Sequence, residues 1–193
     1  MARKKYEFRP DKVNPNLLSK LYMTKKQRIS LLRWSLYALL LLVLSVLQDV
    51  VLCRVRIFGA TTDLIPAAIF LICILLGSET GCVFSLVAAC FYQFSGSSPG
   101  YFVIIIIPVL SIAAAIFRQT YLQKGFSAAM LCAGLALLVY ELILFVIILL
   151  MSLITPDRIL VFAITGAMTL LALPILYPIV MSIEKIGGET WKE

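Results

Sequence analysis

The sequence predicts an all-α, polytopic integral membrane protein with about six transmembrane helices and both termini in the cytoplasm. Three observations carry that expectation. Of 193 residues, 62% are hydrophobic and only 14% are charged, against about 45–50% and about 25% in soluble domains. The apolar residues gather in runs, several of them long enough to cross a hydrocarbon core about 30 Å thick. The basic residues crowd at one end: ten of 17 precede Trp34, opposed there only by Glu7 and Asp11. A chain this short cannot enclose so much apolar surface in a core of its own, so lipid is the solvent for most of it.

Residues 1–30 form a basic cytoplasmic tail. Leu17, Leu18, Leu21, Tyr22 and Ile29 alternate with Lys20, Lys25, Lys26 and Arg28. Asn16 after Pro15 is placed to cap a short helix. That spacing suits a basic amphipathic helix on a surface of anionic lipids, or equally a frayed tail; either is compatible with a topology signal that holds the N-terminus in the cytoplasm. A nucleic-acid role is disfavoured, because the tail has no fold of its own and is tethered to a membrane. The first apolar run starts about 30 residues in and ends at Leu47-Gln48-Asp49-Val50, which offers no cleavage site for a signal peptide.

The transmembrane domain covers residues 31–183. Its first span runs from Leu31 to Val51, with Trp34 and Tyr37 near the cytoplasmic interface that amphipathic rings prefer. An external connection follows, containing Arg54, Arg56, Gly59 and Asp63. Asp63 is expected to cap the next helix, with Pro66 in its first turn. Leu64–Phe94 as one helix would be about 46 Å long. The cluster Gly77-Ser78-Glu79-Thr80-Gly81 divides it into Leu64–Leu76 and Gly81–Phe94. Each half covers only about 20 Å and must tilt, thin the bilayer or be shielded by protein. Residues 95–100, Ser-Gly-Ser-Ser-Pro-Gly, form a tight loop. Tyr101–Phe117 is the fourth span, with Pro108 placed to kink it. A short basic loop, Arg118 to Gly125, leads to Phe126–Leu153. After Thr155-Pro156-Asp157-Arg158, the last span is Ile159–Ile183, bent by Pro174 and Pro178. Residues 184–193 form a second cytoplasmic tail.

Charge selects six spans over five. Six spans place fourteen basic residues inside and three outside, whereas joining the second and third helices leaves eleven inside and six outside.

Candidate chemistry is sparse. There is no histidine, and Cys53, Cys73, Cys82, Cys90 and Cys132 form no Cys-x-x-Cys pair. Neither a metal nor any other cofactor is expected, and the cysteines read as small apolar filler. No phosphate loop, Ser–His pair or redox pair is visible, so the chain is not expected to be an enzyme. Two acids lie within the apolar runs: Glu141 near the middle of the fifth span, and Glu79 in the turn between the short helices. An acid at membrane depth is costly and points to function. For Glu141, three readings stay open: structural glue, contact with a partner or ligand, and proton relay. Gly77 and Gly81, four residues apart, permit close helix approach. Gly77, Glu79, Gly81 and Glu141 are therefore the candidates for partner contact. Arg56, Gly59, Asp63, Ser95, Gly96 and Gly100 are the loop or cap candidates.

The order of these features resembles the MreD family of bacterial rod shape-determining membrane proteins. The resemblance rests on Arg54-Val55-Arg56-Ile57-Phe58-Gly59, then, after three intervening residues, Asp63-Leu64, and a Ser95-Gly96 loop followed by Gly100. It covers roughly residues 31–183. Two positions depart from it. Thr62 stands where the family often has Pro, and Tyr92 stands where it often has an acid, so no role for that acid carries over. The resemblance implies a multi-pass protein of the bacterial cytoplasmic (inner) membrane. It implies a non-enzymatic scaffold of the elongation machinery, contacting a single-span MreC-like partner, with MreB-like filaments and cell-wall synthases of the RodA type further out. The family's fold is also similar to the substrate-binding subunits of energy-coupling-factor vitamin transporters, which supply the alternative function.

Overall fold

The structure is a computed structural model that describes residues 25–54, 60–96, 98–122, 125–151 and 159–186. The expected tail helix before Lys25 lies outside the described residues, as do Arg56 and Gly59. Six α-helices are described: α1 (Lys25–Val50), α2 (Leu64–Leu76), α3 (Ser78–Phe94), α4 (Val103–Tyr121), α5 (Phe126–Leu150) and α6 (Ile159–Ile186). A single 3₁₀ turn, Leu52–Arg54, follows α1. Four helices (α1, α4, α5 and α6) are long and apolar enough to cross a membrane.

The fold is organised around its shortest helix. α2 is 13 residues long, apolar throughout, and buried at twelve of those positions. It packs against each of the other five helices. At about 1.5 Å per residue it reaches only about 20 Å. In open lipid, its unsatisfied terminal amides and carbonyls would lie inside the hydrocarbon region, at several kcal/mol each. Of the three ways a short helix can exist at membrane depth, this chain uses shielding by its own neighbours.

The break between α2 and α3 is tighter than the sequence suggests. Only Gly77 leaves the helix, and Ser78 already begins α3. Gly77 has φ +91° and ψ 173°, a conformation essentially reserved for glycine. Its N–H donates to the Cys73 carbonyl at 3.0 Å, and its own carbonyl accepts from Gly81 N–H at 2.9 Å. At Gly81 the two helices cross so closely that a Cβ would lie 2.5 Å from Cys73 Sγ and 2.8 Å from the Cys73 carbonyl oxygen. The small-residue spacing is thus spent inside the chain, on α2 against α3, and Gly81 presents no surface to a partner.

Aromatic contacts tie the other helices to this centre. Phe70 of α2 meets Tyr140 of α5 edge-on with ring centroids 5.8 Å apart. Phe84 of α3 lies 5.8 Å from both Trp34 and Tyr37 of α1. Outward faces carry large exposed apolar side chains, among them Leu39, Val46, Ile105, Val109, Leu142 and Ile175. A surface of this kind requires an apolar surrounding, and the chain is a helical membrane protein.

Candidate functional site

Few polar side chains are buried among the described residues, and two groups of polar contacts gather at the two ends of α2. The first residues of a helix have N–H groups with no intrahelical acceptor. Asp63 occupies the N-cap position of α2, yet its side chain makes no capping hydrogen bond. The cap comes instead from Gln48, in the last turn of α1. Its Oε1 accepts from Leu64 N–H at 3.0 Å and from Ile65 N–H at 3.3 Å. The third helical residue, Pro66, has no N–H to satisfy. Gln48 Nε2 also donates to Asp63 Oδ1 at 3.0 Å. The expectation that Asp63 caps α2 is therefore corrected. A long-range amide has taken the acceptor role, and the aspartate has become the hub of a network.

Three further groups complete that hub. Tyr92, buried in the last turn of α3, donates its hydroxyl to Asp63 Oδ2 at 2.6 Å. The Asp63 N–H donates to Thr169 Oγ1 of α6 at 3.2 Å, and that hydroxyl donates to the Thr165 carbonyl at 2.8 Å. Both carboxyl oxygens of Asp63 thus accept hydrogen bonds, from α1 and α3. Such bonds to a carboxylate are about twice as strong as neutral ones.

The other end of α2 is held by a cation. Arg118 was expected in a loop, but α4 continues to Tyr121 and buries it at 7% exposure. Its Nη1 donates to the Ile74 carbonyl at 2.7 Å. A guanidinium against the last carbonyls of a helix satisfies an orphan acceptor and matches the negative end of the macrodipole. Next to it, Gln119 packs over Gly77, where a Cβ would come within 2.9 Å of Gln119 Nε2. Ser78 Oγ donates to Gln119 Oε1 at 3.2 Å.

Both described ends of the 95–100 loop are held by local hydrogen bonds. Ser95 Oγ donates to the Tyr92 carbonyl at 2.8 Å, Gly96 adopts φ +78°, and the Gly100 carbonyl accepts from Val103 N–H at 3.2 Å. Glu79 is exposed in the first turn of α3, where a negative charge suits the helix dipole.

Glu141 lies within electrostatic range of Asp63 but takes no part in the hydrogen bonds of either cluster. It is 9% exposed, in the fourth turn of α5, and its carboxyl makes no hydrogen bond or ion pair with a described residue. It lines a lateral groove of about 440 Å³ between α5 and α6. One wall is Leu138, Leu142, Phe145 and Val146, the other Ile159, Phe162, Ala163 and Gly166. A second groove of about 200 Å³ lies between α4 and α5, walled by such residues as Leu110, Ala113, Leu131 and Leu135, without a charged group. Among the described residues no group of three or more His, Cys, Asp or Glu side chains could hold a metal ion.

Gln48, Arg118 and Thr169 are site residues that reading the sequence did not single out. Gln48 and Arg118 carry only a weak signal, since each is a strong polar group at the edge of a long apolar run, where a side chain either turns to a buried partner or snorkels to the interface. Thr169, one hydroxyl in an apolar helix, carried none. The chain matches no protein-family model, no curated protein and no solved structure.

Proposed function

We propose that this chain is a non-enzymatic membrane scaffold of the MreD type, crossing the bacterial cytoplasmic membrane six times with both termini inside. In this reading it contacts a single-span MreC-like protein and so links cytoskeletal filaments of the MreB type to cell-wall synthesis. One observation supports it above the rest. The two segments that carry the resemblance are about 30 residues apart in sequence, yet they meet. Asp63, from the first, accepts a 2.6 Å hydrogen bond from Tyr92, whose carbonyl is bonded by Ser95 of the second. Segments that define a fold by their order are expected to touch, and these do so at the start of the buried helix. The tyrosine here does what the departure at that position left open: it partners Asp63 as a donor.

The alternative, a vitamin-binding subunit, would need free polar groups around a pocket. The polar groups gathered at Asp63 are spent on one another and on the amides of α2. A lateral groove lined almost wholly by apolar side chains suits contact with another membrane helix better than capture of a polar vitamin.

The test is depletion of the protein in a rod-shaped bacterium that encodes it, with affinity purification of the tagged chain from the same membranes. Rounded cells and retention of the single-span partner are expected. Unchanged rods, no retained partner and a bound vitamin in the purified protein would reverse the reading.

A further inference from the structure

The groove between α5 and α6 holds the bundle's one described acid that is buried yet unpaired, and its walls have the form of a seat for a helix. Leu138, Glu141 and Phe145 follow one another at helical spacing on α5. Ile159, Ala163 and Gly166 do so on α6. The channel therefore runs along both helices for about two turns, or about 11 Å. Ala163 and Gly166 keep the α6 wall low, which lets a third backbone approach closely. An alanine would be accommodated at Gly166, since a Cβ there meets nothing nearer than Glu141 Cγ at 3.6 Å. The glycine therefore leaves room beside the acid.

Depth decides the occupant. Along α5, Glu141 is nine residues (about 13 Å) from the Leu150 end and fifteen (about 22 Å) from the Phe126 end, which puts it inside a core about 30 Å thick. A lipid headgroup does not reach that depth. An acyl chain reaches it but offers the carboxyl nothing. A transmembrane helix supplies both what the apolar walls need and a polar side chain at the required level. The neighbouring groove between α4 and α5 has similar walls and no acid, so lipid chains suffice there.

We propose that the α5–α6 groove receives the transmembrane helix of a partner protein, and that Glu141 recognises it by pairing with a hydrogen-bond donor that the helix carries inside the hydrocarbon core. This rests on the scaffold reading above and names the surface through which the single-span partner would bind. Glu141 sets register and identity, and the walls of the groove supply the contact area. It also separates the recognising surface from Gly77 and Gly81, whose side-chain positions the chain's own packing closes.

The experiment uses the full-length tagged chain and the MreC-like partner, co-expressed in their native membrane. Cysteine at Ala163 is paired with single cysteines along the partner's transmembrane helix. Disulfide formation should recur every three to four positions, on the face that bears the polar residue. Glu141→Leu should lower the retained partner about tenfold, as expected for loss of a buried hydrogen bond, and Glu141→Gln by less. Ala163→Phe, which fills the groove from an exposed position, should also reduce retention, whereas Ala113→Leu in the α4–α5 groove should leave it unchanged. Retention at wild-type level in both Glu141→Leu and Ala163→Phe, without periodic crosslinks, would overturn the groove and leave the scaffold reading standing. A wild-type chain that retains no partner would overturn both. A co-purified phospholipid lost on Glu141→Leu, with partner retention unaffected, would assign the groove to lipid and reject the helix.

Discussion

The start of α2 and the α5–α6 groove are two polar places in one apolar bundle, and they are built on opposite plans. At the first, Gln48, Asp63, Tyr92 and Thr169 come from four separate segments of the chain, and the donors and acceptors they present to each other are matched. At the second, Glu141 is as deeply placed but faces Leu142, Phe145, Phe162 and Gly166. A satisfied buried network holds one arrangement of the helices, while an unsatisfied buried acid costs folding free energy and returns nothing to the isolated chain. On the proposal above, the difference separates groups kept for the fold from a group kept for a partner.

Substitutions in the bundle test that contrast. The largest effect belongs to neither polar site but to the crossing that both depend on. Gly81→Leu places its side chain into the Cys73 backbone. It should cost about 3 kcal/mol or more, read as loss of a monodisperse peak in detergent size-exclusion chromatography. A normally folded variant would mean that α2 and α3 are not pressed together as described.

Gln48→Ala comes next. It uncovers two amides of α2 and removes a donor from Asp63, so a loss of about 2–4 kcal/mol is expected from the usual cost of buried unpaired groups. Denaturation with a strong detergent, followed by circular dichroism, measures it. Tyr92→Phe removes one hydrogen bond to Asp63 and should cost about 1–3 kcal/mol in the same assay. Asp63→Asn should cost less, about 1 kcal/mol, because one of its two side-chain acceptors becomes a donor facing Tyr92 or Gln48. That outcome distinguishes a network hub from a cap, since Asn caps a helix as well as Asp does. A silent Asp63→Asn would restore the cap.

Much of the fold is legible in the sequence because membrane helices declare themselves by length and apolarity. The bounds of α2 follow directly from Asp63 at one end and Gly77 at the other. So does the need for shielding, since about 20 Å cannot span the core. The source of the cap is a different matter. Local rules nominate the nearest acceptor, Asp63, whereas Gln48, fifteen residues earlier, wins because α1 folds back beside the helix start. Arg118 departs from expectation for a similar reason: a basic residue after an apolar run suggests a loop, unless a buried carbonyl waits for it. The small residues at 77 and 81 correctly signalled close approach, but spacing alone does not say whose helix approaches. Glu141 was visible as an intramembrane acid, but its groove was not, because a groove is a relation between two helices and belongs to neither sequence.

The most direct test compares the thermal stabilities of Glu141→Leu and Tyr92→Phe, purified alone in the same detergent. Removing an unpaired buried acid in favour of an apolar side chain should leave the melting temperature unchanged or raise it, while Tyr92→Phe should lower it. Opposite signs support a fold-keeping cluster and a separate, spare acid. If Glu141→Leu instead destabilises the isolated protein as Tyr92→Phe does, the acid is structural glue and the contrast between the two places is wrong.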